Sequence, residues 1–588
     1  MITKESLGDL QEKFEKVKKL VEEDARFDPE TQPYFSKYSA RQNLISMNAL
    51  IENLKEKQGP DSPDYPKLIG MHGTVKLNLG MIAVDTEELT IGEKHFQECA
   101  KIIEGFEDKL EVASVNLHML NQLGTVWARW DYEKGQEHLE KADSFYKQIK
   151  ESGLVPIDCN DIFNVNYELN EEDAMKKFEK LYTLTLYYLA QVYSLKDPVK
   201  SAIFCHKTLQ RQLESNDYEE IDWILNTATL SQFLMEKNGF KQARHHLSAS
   251  WYMLDEHKKK LDAIVERDDE YFAKLETYQH RFADVARCWG KYGLVLLVNS
   301  RDRLVNTSDI DATASICTDI SKLNITEELT EWDFPTLELS KYEEEVTDQF
   351  VLTIEDAKKV FLNAQKWLNR AQEYYSLESL ASDYIEIAQD YSKLYDALVF
   401  YEENPDNRSK LIKRAIDVLE QVLSEVNPTY YMQYCRPIWF RLGMLYSDLI
   451  DIKLDRIKES TARPNPHALK KINALVDKSL KHFNSFVDSF KNSSGELPKK
   501  MTEDMEKPFL QAYFHLAVLQ TRHITLDKNV QLKNTEESMK FYKMFVDYCN
   551  ANESAVGCVK EELSVAKEMV TLLPLKIAKL RNELPLPR

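Results

Sequence analysis

The sequence predicts an all-α fold: a solenoid of helix pairs in two subdomains joined by a long connecting helix. Three observations lead there. Gly 16 and Pro 18 in 588 residues leave little material for β-turns, and the abundant Leu, Lys, Glu and Ala favour helices with short joints. Apolar residues recur at spacings of three and four along most of the chain. The length exceeds what one compact core accommodates, so the core has to be buried pair by pair.

The pairs carry a recognisable pattern. Trp439, Leu442, Gly443 and Tyr446 spell W-x-x-L-G-x-x-Y, the first-helix signature of a tetratricopeptide repeat (TPR). There a small residue lets the two helices of a pair approach closely while aromatic rings fill the flanks.

Residues before about 57 predict two helices broken around Pro29 and Pro33. Pro60, Pro63 and Pro66 then form a loop before the repeats begin. Leu79 and Gly80 answer to Gly92, Phe96 and Cys99; Leu123 and Gly124 to Gly135, Leu139 and Ala142; Leu189 and Ala190 to Ala202; Leu230 and Ser231 to Ala243, Leu247 and Ser250. From about Asp268 to Asn299 one helix outlasts a repeat helix, with Phe282, Val285 and Trp289 on a stripe. It is expected to connect the two halves.

The stretch 301–347 has twelve acidic and four basic residues and no regular apolar spacing, which reads as a mobile acidic loop. Helical periodicity resumes at Ile354. A helix is expected to start at Pro437, another at Pro508, and a capping helix at Val559–Leu584, ending at Pro574 or restarting after it. The expected organisation is therefore an N-terminal TPR-like array over 1–265, a connecting helix over 266–300, the acidic loop over 301–347 and a C-terminal TPR-like array over 348–588.

A formal charge of −21 disfavours nucleic acid and anionic membrane as partners and favours a basic protein. The eight cysteines are scattered without paired spacing, as in a reducing cytoplasm. No signal-peptide core and no bilayer-length apolar run is present. His245 and His246 are adjacent, so they leave the helix on different faces and read as partly exposed helix histidines, not an i, i+4 metal pair. With no phosphate-binding loop, dinucleotide fingerprint or nucleophile elbow, the reading is a binding protein without cofactor or metal, not an enzyme.

In a TPR-like array the first helix of each pair lines the concave face, and the residues flanking the small position face the groove. These are Tyr188 and Gln191 in the third pair and Thr229 and Gln232 in the fourth, with Gln212 near the passage into the same groove. An aromatic body with amides suits a hydrogen-bonding protein interface; the alternative is packing between helices. The residue after the small position is Met81, Thr125, Gln191 or Gln232, never the Asn that a clamp for a terminal carboxylate needs.

Several collinear segments go further: Lys37-Tyr38-Ser39-Ala40-Arg41, Asp85-Thr86-Glu87-Glu88-Leu89, Tyr187 to Tyr193, Thr229 to Phe233, Ala243-Arg244-His245, Arg287-Cys288-Trp289, Lys470 to Asn473, and Lys567 to Pro574. With these the chain resembles the kinesin-binding protein family. The resemblance implies a protein that holds the motor domains of selected kinesins and blocks their attachment to microtubules, affecting axonal microtubule organisation and cargo transport. It implies a cytoplasmic, cytoskeleton-associated location, and a capped solenoid is compatible with a monomer. Tyr188, Gln191, Thr229 and Gln232 fall inside the matching segments; Gln212 does not. The alternative is a general TPR scaffold for peptides of cytoskeletal or signalling proteins.

Overall fold

In the computed structural model the described residues are 4–306, 332–459 and 465–583, and they contain α-helices and no strand. The chain divides into two units. Among the described residues, one takes 4–234, 248–253 and 332–339, the other 235–247, 254–306, 340–459 and 465–583.

In the first unit α1 (Lys4–Glu22) and α2 (Phe35–Gln58) precede the pairs α3 (Tyr65–Asp85) with α4 (Leu89–Ile103), α5 (Ala113–Ala128) with α6 (Tyr132–Ser152), and α7 (Glu171–Tyr193) with α8 (Pro198–Ser215), followed by α9 (Glu220–Glu236). Each of α1 to α8 packs on its neighbour in sequence, and α5 also meets α7. Helix starts are encoded locally. Asp131, Asn170 and Asp197 each turn a side-chain oxygen onto a backbone N–H of the first turn, and Pro198 follows Asp197 where a proline costs no hydrogen bond. The 153–170 segment returns to the start of the array. Ile157 N–H donates to the Leu110 carbonyl at 2.7 Å, and the Phe163 ring lies 4.4 Å from Phe14.

The second unit contains most of α10 (Phe240–Asp262) and all of α11 (Asp269–Asn306), then α12 (Ser340–Glu343), α13 (Ile354–Tyr374), α14 (Ala381–Tyr401), α15 (Pro405–Glu425), α16 (Met432–Glu459), α17 (Pro466–Asp488), α18 (Glu503–Arg522), α19 (Lys528–Ala551), α20 (Glu553–Val556) and α21 (Lys560–Glu583). Within this unit α11 packs on α13 and α14. Trp289 stacks on Trp367 at 5.7 Å, and Arg287 holds Asp383 at 3.0 Å and Glu386.

The small residues do what the pattern requires. A Cβ on Gly80 would stand 2.4 Å from the Phe96 ring, one on Gly124 2.5 Å from Leu139, and one on Gly443 2.7 Å from the Phe483 ring. Three pairs are also pinned by a serine of the second helix donating to the carbonyl of the small residue on the first: Ser201 to Ala190 at 2.7 Å, Ser479 to Gly443 at 2.8 Å and Ser538 to Ala517 at 2.7 Å.

Four expectations are corrected. Helix α16 starts at Met432 and α18 at Glu503, so Pro437 and Pro508 lie inside helices. Each sits about one and a half turns from the start, where proline removes one ladder bond near the end of the helix. Helix α21 runs unbroken through Pro574. His246 is fully buried, with Nδ1 2.7 Å from the Gln242 carbonyl, while His245 meets Glu343 at 2.7 Å.

The stretch expected as a loop over 301–347 continues α11 to Asn306, and its part 307–331 lies outside the described residues. Residues 332–346 are packed. In the first unit Phe334 and Trp332 lie against His206, and Phe334 against Trp223 at 5.2 Å. In the second unit Tyr342 donates to Asp255 at 2.9 Å and Arg244 donates to the Val346 carbonyl at 3.0 Å. Apolar residues spaced without a period contribute this packing, which is why periodicity did not reveal it.

Candidate partner-binding groove

Three helices of the first unit supply three stripes. Tyr187 and Gln191 on α7 and Ser194 at its C-cap follow i, i+4, i+7 spacing; Asn226, Thr229, Leu230 and Phe233 on α9 follow i, i+3, i+4, i+7; Ser201, Cys205, Thr208 and Gln212 on α8 run between them. Together they line a groove of about 500 Å³. Its floor is fixed from below: Trp223 Nε1 donates to the Leu209 carbonyl at 3.0 Å, tying α9 to α8, and the Ser201 bond to Ala190 ties α8 to α7.

Of the residues chosen from the sequence, the groove brings together Gln191, Gln212 and Thr229. Gln191 and Thr229 are exposed and Gln212 is half-buried. Tyr188 lies about 100° round α7 from the groove stripe. There it packs on the cluster of Leu139, Leu189, Val192 and Tyr193, and burial raises its phenol pKa. Gln232 is half-buried and does not line the groove. The α7 aromatic at the groove is Tyr187, 44% exposed, whose ring centroid lies 5.6 Å from that of Tyr188. Tyr187, Asn226 and Phe233 were legible as companions at helical spacings of three and four from Gln191 and Thr229. Flanking the small position by one residue pointed instead to both sides of the helix.

An ion network underlies the α6, α7 and α8 side of the unit. Glu179 accepts from Tyr146 at 2.5 Å and from Lys150 and Arg211. The Arg211 guanidinium stands 4.8 Å from the Tyr182 ring, which stacks on Tyr146 at 3.5 Å. Burial alone would raise the Glu179 pKa, but the bonds from Lys150 and Tyr146 and the charge of Arg211 hold it low. The carboxylate therefore stays ionised and keeps the three helices in register. Burial raises the Cys205 thiol pKa in the groove, countered in part by a hydrogen bond with Ser201. A thiol so placed is a weak nucleophile.

Among the described residues no group of three or more His, Cys, Asp or Glu could hold a metal ion, and no helix is long and apolar enough to cross a membrane. The groove offers exposed amides, hydroxyls and a tyrosine over an apolar floor, the chemistry of a protein interface.

Comparison with known proteins agrees over the whole length. Residues 221–580 match the family described as "KIF-1 binding protein C terminal". The chain is 36% identical over 597 residues to the KIF-binding protein of Drosophila melanogaster, covering 99% of each. It is 35% identical over 592 residues to that of Gallus gallus, covering 97% of each. The solved structure "Kinesin binding protein (KBP)" superposes with a TM-score of 0.62 at 29% identity, covering 96% of this chain and 98% of the other. The chain belongs to the KIF-binding protein family.

Proposed function

We propose that this chain holds the motor domains of selected kinesins and keeps them off microtubules. The observation that carries the reading is its match, end to end, to proteins named for binding kinesins. The groove of the first unit supplies the contact surface, with Tyr187, Gln191, Gln212 and Thr229 as the residues that meet the motor. A motor that grips the acidic microtubule has a basic face, and a chain of charge −21 attracts that face before contact. Occupying it excludes the microtubule sterically, with no bond made or broken. The chain acts as a cytoplasmic monomer, and by withholding motors it shapes axonal microtubule organisation and cargo transport.

Microtubule co-sedimentation of several kinesin motor domains with and without the chain is the test. Loss of motor from the pellet supports the reading. Motor that stays in the pellet with this chain bound to it refutes inhibition and leaves a scaffold.

A further inference from the structure

A basic groove lies in the second unit of this acidic chain. Helices α15, α16 and α17 enclose about 670 Å³, and the walls carry Lys410, Lys413 and Arg414 from α15, Lys453 from α16, and Lys471 and Lys478 from α17. The lining contains one carboxylate, Asp406, which is paired with Arg456. Lys413 pairs with Asp417 on its own helix, and Lys478 reaches Glu420 at 3.1 Å and the Tyr446 hydroxyl at 3.0 Å. Lys410, Arg414, Lys453 and Lys471 have no ion-pair partner among the described residues. Leu449 and Leu475 contribute apolar surface between them.

Carboxylates outnumber cations 97 to 76 in this chain, so an uncompensated cluster of cations runs against its composition. Like charges facing one another across a groove repel, and folding gains nothing from the arrangement. Their spacing indicates what would relieve the repulsion. Lys471 and Lys478 are seven residues, about 10 Å, apart along α17, and Lys410 and Arg414 are one turn apart on α15. Cations set out along two helices in this way suit an extended anion better than a compact one such as phosphate. Alternate residues of an extended strand place like side chains about 6.6 Å apart on one face, which matches a row of cations better.

We propose that this groove binds an extended Glu/Asp-rich peptide segment of a partner protein, its carboxylates alternating between the cations of α15 and α17. The apolar patch at Leu449 and Leu475 takes the chain between the charges.

The test uses the full chain and a fluorescent dodecapeptide of alternating Glu and Ser, followed by anisotropy at low salt, with a Lys/Ser peptide of equal length as control. The acidic peptide is expected to bind, and R414E/K471E to weaken it about tenfold or more, as the loss of two charge pairs and the gain of two repulsions predicts. Both positions are exposed and unpaired, so circular dichroism is expected to remain unchanged; R414Q/K471Q gives a graded loss with less perturbation. An acidic peptide that fails to bind, or affinity unchanged in both variants, overturns the proposal. So does displacement of the peptide by inorganic pyrophosphate at far lower concentration than by unlabelled peptide, which would mark a small-anion site.

Discussion

The Phe483 ring lies across Gly443 so closely that a single methyl group would stand 2.7 Å from it. The contact joins α16 to α17 at the best-formed repeat signature in the chain. Gly443→Ala therefore overpacks a fully buried contact, and a loss of about 1 to 3 kcal/mol in urea unfolding of the second unit is expected. Gly8, inside α1 with nothing within 4 Å of its Cβ position, is the control. There Ala relieves backbone entropy and is expected to stabilise by about 0.5 to 1 kcal/mol.

Adjacent tyrosines on α7 have separable effects. Tyr187→Ala, alone or with Gln191→Ala and Thr229→Ala, is expected to reduce affinity for a kinesin motor domain by about tenfold or more while the melting temperature holds. Tyr188→Ala is expected to do the reverse, costing about 1 to 3 kcal/mol of stability through the Leu139 cluster. Pull-down with a motor domain, paired with thermal melts, separates the two. A motor affinity that responds to Tyr188 and ignores Tyr187 would remove the groove from the account.

Attraction between an acidic chain and a basic motor face is screened by salt. Raising ionic strength from about 50 to about 300 mM shortens the Debye length from roughly 14 to roughly 6 Å. The association rate with a motor domain in stopped flow is expected to fall steeply over that range, with a smaller change in dissociation. A salt-independent rate would point to an apolar interface.

Two buried histidines give stability a dependence on pH. Burial, with help from nearby Lys55 and Lys76, lowers the His72 pKa to about 4, and burial lowers that of His482 to about 4. Each is neutral in the fold, and His72 is held by Lys55 at Nδ1, 3.2 Å away, and Asn48 at Nε2, 3.0 Å away. Unfolded, each takes up a proton near pH 6.5. The unfolded chain therefore binds more protons between pH 6.5 and 4, and stability is full above that window and falls as pH drops through it. Urea midpoints measured across the window should fall, and His72→Gln should flatten the slope by roughly 1 to 2 kcal/mol over the range.

The helix pairs were legible because two signals coincide in them: apolar residues at helical spacing, and a small residue at the point of closest approach. Gly80, Gly124 and Gly443 each meet the ring or branched side chain that their spacing implied. Proline misled at 437 and 508, because a residue that suits a helix start is also tolerated a turn and a half inside one. Trp332, Phe334 and Tyr342 escaped notice because their burial is arranged by the fold around them and leaves no period in the sequence. Gln191, Gln212 and Thr229 line the groove, whereas Tyr188 packs on the Leu139 cluster and its neighbour Tyr187 lines the groove, since each step along a helix turns the side chain by about 100°.

Phe163 against Phe14 has a consequence for the order in which the molecule is made. Beside that contact the Val165 N–H donates to Gln11 Oε1 at 2.9 Å, across 154 positions. Helix α1 is made before that segment, so the face that meets Phe163 and Val165 stays open until α2 to α6 have been synthesised. This end of the array is therefore closed by a strap made well after the helix it covers.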